Sequence, residues 1–431
     1  MSSIFVGYIG VVVLILLIFA RMQIGISMAL VGFIGFSYIV GLQPALGVLK
    51  TVPYSTFASQ EMSVIPLFIL MGAFAFSSGM SEDLYHAAHK VLGHLKGGLA
   101  IATVAACSFF AAISGSSLAT AATMGRVAAP EMKRYNYDPA LATGAIAAGG
   151  SIGILIPPSV ILIIYGILTE QSIGRLFLAG FIPGILEAVF YIITIMIITR
   201  YNPNLGPPGP RTTSREKMLS ILKTWEVVIL FCIVIGGIYT GIFTPTEAAG
   251  VGAFMAFCMT IRRGKMNWEN LKQSLLTTAQ TTGMLFIIVF GAMVLGYFFS
   301  VSRLPFEMAS MVGDLPVNRY VILILILLVT LFLGCIMDSM AIVLLTVPIF
   351  YPTILKLGFN PIWFGILIVR VTEMGMITPP IGLNVYVIQG ITGEKMGTIF
   401  RGVVPFLIAD VCHVALLIAF PPLSLFLPSL F

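Results

Sequence analysis

Two short polar clusters interrupt apolar stretches of this chain, and each is followed by a pair of adjacent prolines. The clusters are Ser114-Gly115-Ser116-Ser117 and Ile336-Met337-Asp338-Ser339, and the pairs are Pro157-Pro158 and Pro379-Pro380. A helix that ends inside an apolar region leaves carbonyl oxygens that suit Na⁺, and one that begins there leaves N–H groups that suit a carboxylate. These residues therefore predict a site for both a cation and an organic anion.

The two clusters belong to an internal repeat. Residues 114–183 align without a gap on residues 336–405, at a constant offset of 222 residues. In that register Ser117 falls on Ser339, and the first proline pair falls on the second. The frequency of Gly and Pro in membrane helices does not account for so long a fixed register. Duplicated broken helices in an apolar chain indicate transport.

The composition requires a membrane. Apolar residues make up 58% of the 431 residues and charged residues 9%, and the mean hydropathy is +1.05, so a soluble domain would expose large apolar patches. The apolar stretch 4–20 lacks a preceding basic residue and a cleavage site, and we interpret it as a retained helix. The five cysteines lie in apolar runs without a CxxC pair, so they predict neither disulfides nor a metal site.

The order of the membrane segments follows from length and interruption. Crossing helices are predicted near residues 3–20, 24–41, 64–81, 177–199, 225–242, 246–261, 280–300 and 400–427. Re-entrant hairpins are predicted at about 98–133 and 320–354, and helices broken at Pro-Pro at 140–168 and 361–390. Interfacial amphipathic helices are predicted at 82–98 and 301–318.

The distribution of Lys and Arg orients this layout. One side receives 16 of the 23 basic residues, and the other receives Lys50, Arg175, Arg303, Arg319 and Lys356. The first side is therefore predicted to be cytoplasmic, with both termini periplasmic and ten crossings divided five and five. The sequence predicts an all-α polytopic membrane protein. It has a first inverted repeat at 1–200, a cytoplasmic linker at 201–224 and a second inverted repeat at 225–431.

Four motifs together resemble the large membrane subunit of tripartite ATP-independent periplasmic (TRAP) transporters. They are Ser114–Ser117, Gly153–Ser159, Thr244–Ala249 and Gly375–Asn384, and the resemblance covers essentially the whole chain. It implies an elevator-type, ion-transporter-like fold and Na⁺-driven uptake of an organic acid across the bacterial inner membrane. Two or more coupling Na⁺ and no organic cofactor are expected. It also implies a periplasmic substrate-binding protein and a small membrane subunit, which we expect on a separate chain.

The resemblance also implies two ion sites. The first would use main-chain oxygens around Ser114, Ser117, Gly153, Ile156 and Pro158. The second would use Gly334, Asp338, Thr372, Gly375 and Thr378. The residues to which we assign substrate binding are Arg126, Ser116, Ser159, Arg370 and Asn384.

Charged residues within the apolar segments need partners or a wet cavity. Arg126 and Arg370 are candidate clamps for a substrate carboxylate. The alternatives are an internal ion pair, for example of Arg370 with Glu373, or snorkelling to the membrane surface. Thr246-Glu247 is interpreted as a helix-capping element. Glu187, Glu226 and Asp410 receive no role.

Two other functions compete with a TRAP subunit. An intramembrane hydrolase is disfavoured for two reasons. No histidine is placed to activate Ser116 as a nucleophile, and an aspartyl mechanism would require a second membrane-embedded aspartate motif in addition to Asp338, which the sequence lacks. A stand-alone divalent-anion and Na⁺ symporter would use the same repeat architecture without partners. No Walker A pattern is present, so we expect a secondary transporter and not an enzyme. Candidate substrates are sialic acids, C4-dicarboxylates, 2-oxoacids and sugar acids.

Overall fold

The computed structural model describes residues 2–313 and 317–430, and its regular elements there are all helical. The α-helices are α1 Ser3–Phe19, α2 Ile24–Val40, α3 Leu42–Phe57, α4 Val64–Ser77, α5 Met80–Leu92, α6 Gly98–Ser114, α7 Ser117–Arg134, α8 Pro139–Ser151, α9 Val160–Thr169, α10 Ile173–Tyr201, α11 Ser214–Lys223, α12 Trp225–Tyr239, α13 Pro245–Arg262, α14 Trp268–Ser302, α15 Leu304–Gly313, α16 Arg319–Gly334, α17 Ser339–Lys356, α18 Pro361–Ile377, α19 Leu383–Thr392, α20 Met396–Ala419 and α21 Pro422–Leu425.

Many of these helices are apolar enough to lie in a bilayer. By length and composition, five helices of the described ranges can each cross a membrane, and six can if the bent pair α11 and α12 forms one span. Shorter apolar helices, such as α1, α2 and α6, lie among them. Large apolar side chains such as Leu16 and Phe19 are exposed on α1, as expected for a surface in contact with lipid. The fold is thus a polytopic all-α membrane fold, and the division into ten crossings stays a prediction.

The same series of helices occurs twice. Helices α6 to α10 are followed, after α11 to α15, by α16 to α20 in the same order. Helices α7 and α17 begin and end at residues related by the offset of 222. The Pro157-Pro158 and Pro379-Pro380 bonds are both cis. The helix ends at α6–α7, α8–α9, α16–α17 and α18–α19 fall in the segments predicted as hairpins and breaks, and their re-entrant, inverted arrangement in the membrane stays a prediction.

Some elements differ from the sequence-based expectations. Helix α3 was not expected, because Pro53 and several polar residues interrupt its apolar pattern. The predicted linker contains α11, which begins with a capping box between Thr213 and Glu216. The two amphipathic segments form α5 and α15, shorter than predicted, and residues 314–316 of the second segment lie outside the described residues.

Close backbone contacts hold the two repeats together. A Cβ atom on Gly144 of α8 would lie 2.3 Å from the Gly402 carbonyl oxygen of α20. A Cβ on Gly402 would lie 1.8 Å from the Ala140 carbonyl oxygen. Because both positions lack a side chain, α8 and α20 approach as closely as their backbones allow. This contact fixes the first broken helix against the last long helix of the second repeat.

Candidate substrate and ion site

The first hairpin turns over a hydrogen-bonded tip. Helix α6 ends at Ser114, and Gly115 adopts a left-handed conformation with φ +59°. The Thr120 hydroxyl donates to the Ser116 carbonyl oxygen at 2.8 Å, and the Ser114 and Thr120 hydroxyl oxygens are also 2.8 Å apart. Since the Thr120 proton is engaged, Ser114 donates in the second bond. These bonds concentrate oxygen atoms at the tip.

This tip lies directly against the first helix break. A Cβ atom on Gly115 would lie 3.3 Å from the Pro158 carbonyl oxygen, and one on Gly153 would lie 2.9 Å from the Ala111 Cβ. All residues from 151 to 160 are buried. The structure therefore brings together the two segments that contain the first predicted ion site, although individual ligands stay predictions.

The second hairpin meets the second break in the same way. A Cβ atom on Gly334 would lie 3.0 Å from the Thr372 carbonyl oxygen and 2.9 Å from the Gly375 Cα. The Gly382 N–H donates to the Cys335 carbonyl oxygen at 3.3 Å, joining tip and break. The segments of the second predicted ion site are thus also in contact.

Asp338 has a local role at this second tip. Its Oδ1 atom accepts hydrogen bonds from the N–H groups of Met340 at 3.1 Å and Ala341 at 3.2 Å, which caps α17. In the first repeat, Ser116 caps α7 and Ser159 caps α9 through their hydroxyl oxygens. The helix starts at both tips are therefore fixed by short polar side chains.

The two breaks differ in accessibility. Pro379 and Pro380 are exposed, whereas Pro157 and Pro158 are buried. Ser116 is half-buried, and Ser159 is fully buried. Of the predicted substrate residues near the breaks, Ser116 is thus accessible and Ser159 is not in this conformation.

Asn384 links the two broken helices. It is fully buried on α19, and its Nδ2 donates to the Ala147 carbonyl oxygen of α8 at 3.4 Å. Its Oδ1 is buried and has no hydrogen-bond partner within the described ranges. Asn384 thus connects the second broken helix to the first, and its free acceptor is turned into the protein interior.

Arg126 is exposed on α7 and forms no ion pair with the described residues. It lies ten residues beyond Ser116, which corresponds to about 15 Å along a helix. One substrate carboxylate therefore cannot contact both the tip and Arg126, and a group bound by Arg126 would be a second group of the substrate. The clamp remains a prediction for the distal end of a substrate.

Arg370 lies in a buried ion cluster. Its guanidinium group pairs with Asp410 of α20 and with Glu187 of α10, the latter at 3.2 Å. Its Nε donates to His413 Nδ1 at 3.1 Å, and Tyr191 completes the cluster. The geometry favours the internal ion pair that we considered as the alternative to a clamp, although the partners are not Glu373. The cluster gives Glu187 and Asp410 the roles that the sequence left open.

Glu373 lies between the two hairpins. Its Oε1 accepts a hydrogen bond from the Ser339 hydroxyl at 2.5 Å, and Ser117 lies close to the same carboxyl group. Ser117 and Ser339 are the first residues of α7 and α17 and are equivalent in the internal repeat. Sequence reasoning missed this role, and the repeat alignment of the two serines was the only signal for it.

Glu247 and Glu226 stabilise helices outside the hairpins and breaks. Thr244 and Glu247 form a capping box at the start of α13, which confirms the expected capping role of Glu247. Glu226 on α12 is buried and pairs with Arg262 and Arg263. Neither carboxylate lies at a tip or a break.

The described residues form a helical membrane fold in which two helix hairpins each contact a broken helix, an arrangement typical of multi-pass transport proteins. The model of the tripartite ATP-independent periplasmic transporter family, DctM component, matches residues 11–423. The chain belongs to this family of TRAP transporter large permease subunits. It is a transport protein and not an enzyme, and the hydrolase alternative is discarded.

Individual relatives and a solved structure support this assignment. The chain is 37% identical to a C4-dicarboxylate TRAP transporter large permease of Pseudomonas aeruginosa, over 90% of this chain and 93% of that protein. It is 33% identical to a sialic acid TRAP transporter large permease of Vibrio cholerae, over 96% of both. The crystal structure of the YdaH transporter of Alcanivorax borkumensis covers 88% of both chains with a TM-score of 0.60 and 18% identity, and supports the fold alone.

Proposed function

We propose that this chain is the permease subunit that couples inward Na⁺ movement to uptake of an organic acid across the inner membrane. The observation that carries the proposal is the contact of each hairpin with a helix break, found in both repeats with the equivalent residues Gly153 and Gly375 at the break. Carbonyl oxygens at the ends of α6, α8, α16 and α18 would bind Na⁺. The N-terminal ends of the following helices, with Ser116 at one of them, would face a carboxylate.

The proposed partners are a small membrane subunit and a periplasmic substrate-binding protein. Relatives named as C4-dicarboxylate and sialic acid permeases make these two classes of acid the first substrates to examine. Transport would proceed by an elevator mechanism, in which the hairpins and broken helices move against the other membrane helices. A stand-alone symporter is the second candidate. Uptake by proteoliposomes with and without the binding protein separates the two, because only the stand-alone carrier would transport free substrate at full rate.

Substitution of Arg126 tests the distal clamp. Charge-assisted hydrogen bonds contribute about 1.5–3 kcal/mol, so Arg126→Ala should weaken the apparent substrate affinity roughly ten- to a hundredfold. Arg126→Lys should retain partial transport because it keeps the charge but loses the planar fork. The measurement is concentration-dependent uptake. Exposed Arg175 provides a control, since Arg175→Ala removes the same charge elsewhere. An assembled Arg126→Ala complex with unchanged affinity would show that Arg126 does not bind substrate.

The proposed orientation is tested at the linker. A single cysteine at Ser214, in a background without the native cysteines, should react with an impermeant maleimide only from the cytoplasmic side. The reason is that the linker carries four of the 16 basic residues on the side that the positive-inside rule assigns to the cytoplasm. A cysteine at Ser2 should react only from the periplasmic side. The opposite pattern of labelling would reverse the orientation of both repeats.

A further inference from the structure

A basic cleft lies apart from the hairpins and breaks, at the elbow between α11 and α12. The two helices meet at a bend of 47°. The cleft between them, α5 and α13 has a volume of about 630 Å³. Its basic lining residues are Lys90, Lys223, Arg262 and Arg263. We call it the elbow cleft.

The carboxylates of the elbow cleft already have partners. Asp83 accepts a hydrogen bond from Arg263 at 2.6 Å, and Glu226 pairs with Arg262 and Arg263. Glu216 accepts from the Thr213 N–H at 3.2 Å in the capping box of α11. Each carboxylate of the cleft is therefore already engaged by a group of the protein, and the cleft has little capacity to bind a cation.

The basic side chains exceed the acidic ones by one. Lys90 and Lys223 are exposed and form no ion pair with the described residues. Four basic groups against the three carboxylates Asp83, Glu216 and Glu226 leave a charge of +1 in the cleft. A phosphodiester carries one negative charge and would balance it. The charge of the cleft thus fits a phosphate group better than it fits a cation or a neutral molecule.

Exposed apolar side chains lie beside the elbow cleft, as is typical of a protein surface in contact with the membrane. Helix α11 exposes Met218, Leu219, Ile221 and Leu222, each more than half accessible. Trp225 follows at the start of α12, and the Arg262 guanidinium lies 4.3 Å from its ring centroid. Amphipathic helices and tryptophans of this kind are typical of the membrane interface, where lipid phosphates lie. A soluble anion would gain nothing from these apolar side chains.

The walls of the cleft are fixed by contacts from separate parts of the chain. The Thr212 hydroxyl donates to the Lys90 carbonyl oxygen at 2.6 Å, which ties the linker to α5. The Gly209 N–H donates to the Gly93 carbonyl oxygen at 2.7 Å, next to the end of the same helix. Lys90 on α5 and Lys223 on α11 line the same cleft.

We propose that the elbow cleft binds the headgroup of an anionic phospholipid. Lys90 and Lys223 contact the phosphate, and the exposed apolar residues of α11 lie along the acyl chains. The site is independent of the hairpin tips and of the coupling ion. Because α5 leads into the first hairpin and α12 belongs to the second half, a bound lipid connects the two halves at the membrane surface.

Native mass spectrometry of the full chain with phosphatidylglycerol tests the proposal. At about 1 kcal/mol for each lysine near a phosphate, the double variant Lys90→Gln and Lys223→Gln should bind phosphatidylglycerol roughly thirtyfold more weakly. The matched control is Lys265→Gln with Lys272→Gln, which removes two exposed lysines outside the cleft. The control should bind as the unchanged chain does. Melting temperatures measured without lipid verify that both double variants are folded.

Three results would overturn the proposal. The first is equal binding of phosphatidylglycerol by the cleft variant and the control. The second is equal binding of phosphatidylcholine and phosphatidylglycerol by the unchanged chain, because the excess positive charge would then select nothing. The third is displacement of phosphatidylglycerol by an equal concentration of glycerol 1-phosphate, because the ligand of the cleft would then be a soluble phosphate.

Discussion

A single methyl group at Gly375 is expected to reduce uptake at least tenfold and to destabilise the protein by about 1–3 kcal/mol. A Cβ atom there would lie 2.5 Å from the Gly334 Cα and 2.6 Å from the Gly334 carbonyl carbon. These are backbone atoms and cannot rotate away, so Gly375→Ala must push α16 from α18. The contact that defines the second tip and its break would open.

Gly390→Ala is the matched control for this substitution. Gly390 also lies in a broken helix, and a Cβ atom there meets no atom within 4 Å. Alanine in a helix is intrinsically better than glycine by about 1 kcal/mol, so this variant should be unchanged or slightly more stable. Uptake and thermal melting measured on both variants give the comparison. If Gly375→Ala behaves like Gly390→Ala, the close seating of the second hairpin is not required.

Loss of Arg370 is expected to have the largest effect on stability. Arg370→Met would leave Asp410 and Glu187 buried without their cation, which in comparable buried pairs costs about 3–5 kcal/mol. Both carboxylates are fully buried, so water cannot replace the guanidinium group. The measurement is thermal melting in detergent, with the exposed Arg175→Met as the control for loss of one positive charge.

A triple variant separates a structural role of the Arg370 cluster from a role in substrate binding. Arg370→Met combined with Asp410→Asn and Glu187→Gln removes the charges together, and should recover most of the stability. If the cluster is structural, this variant should also recover uptake. Restored stability without restored uptake would support the earlier interpretation of Arg370 as a substrate clamp. A stable Arg370→Met single variant would contradict the ion cluster itself.

Local chemistry explains why the ends of the helices at the Pro-Pro pairs could be predicted from the sequence. A proline pair removes backbone donors and excludes helix before it, so Pro157-Pro158 and Pro379-Pro380 mark the breaks without tertiary information. The internal repeat then transfers each boundary from one half to the other. Helix α3 was missed because the same reasoning treats Pro53 as an interruption, whereas it lies inside a helix here.

The partners of the buried charges could not be predicted in this way. Glu373 lies one turn from Arg370, and spacing of this kind favours a pair on one helix. The actual partners are Asp410 and Glu187, which are 40 and 183 residues away and lie on other helices. Packing of α10, α18 and α20 decides the pairing. The hydrogen bond between Glu373 and Ser339 likewise depends on how α17 packs against α18.

The most direct test of the account is uptake by proteoliposomes that hold the large and small subunits, with substrate-loaded binding protein outside. Accumulation should require an inward Na⁺ gradient. Asp338→Ala should raise the Na⁺ concentration for half-maximal uptake or abolish uptake, because it removes the cap at the second tip. Asp138→Ala, which removes a helix cap distant from both tips, is the control. Full uptake in Na⁺-free buffer with only a proton gradient would contradict the proposed Na⁺ coupling.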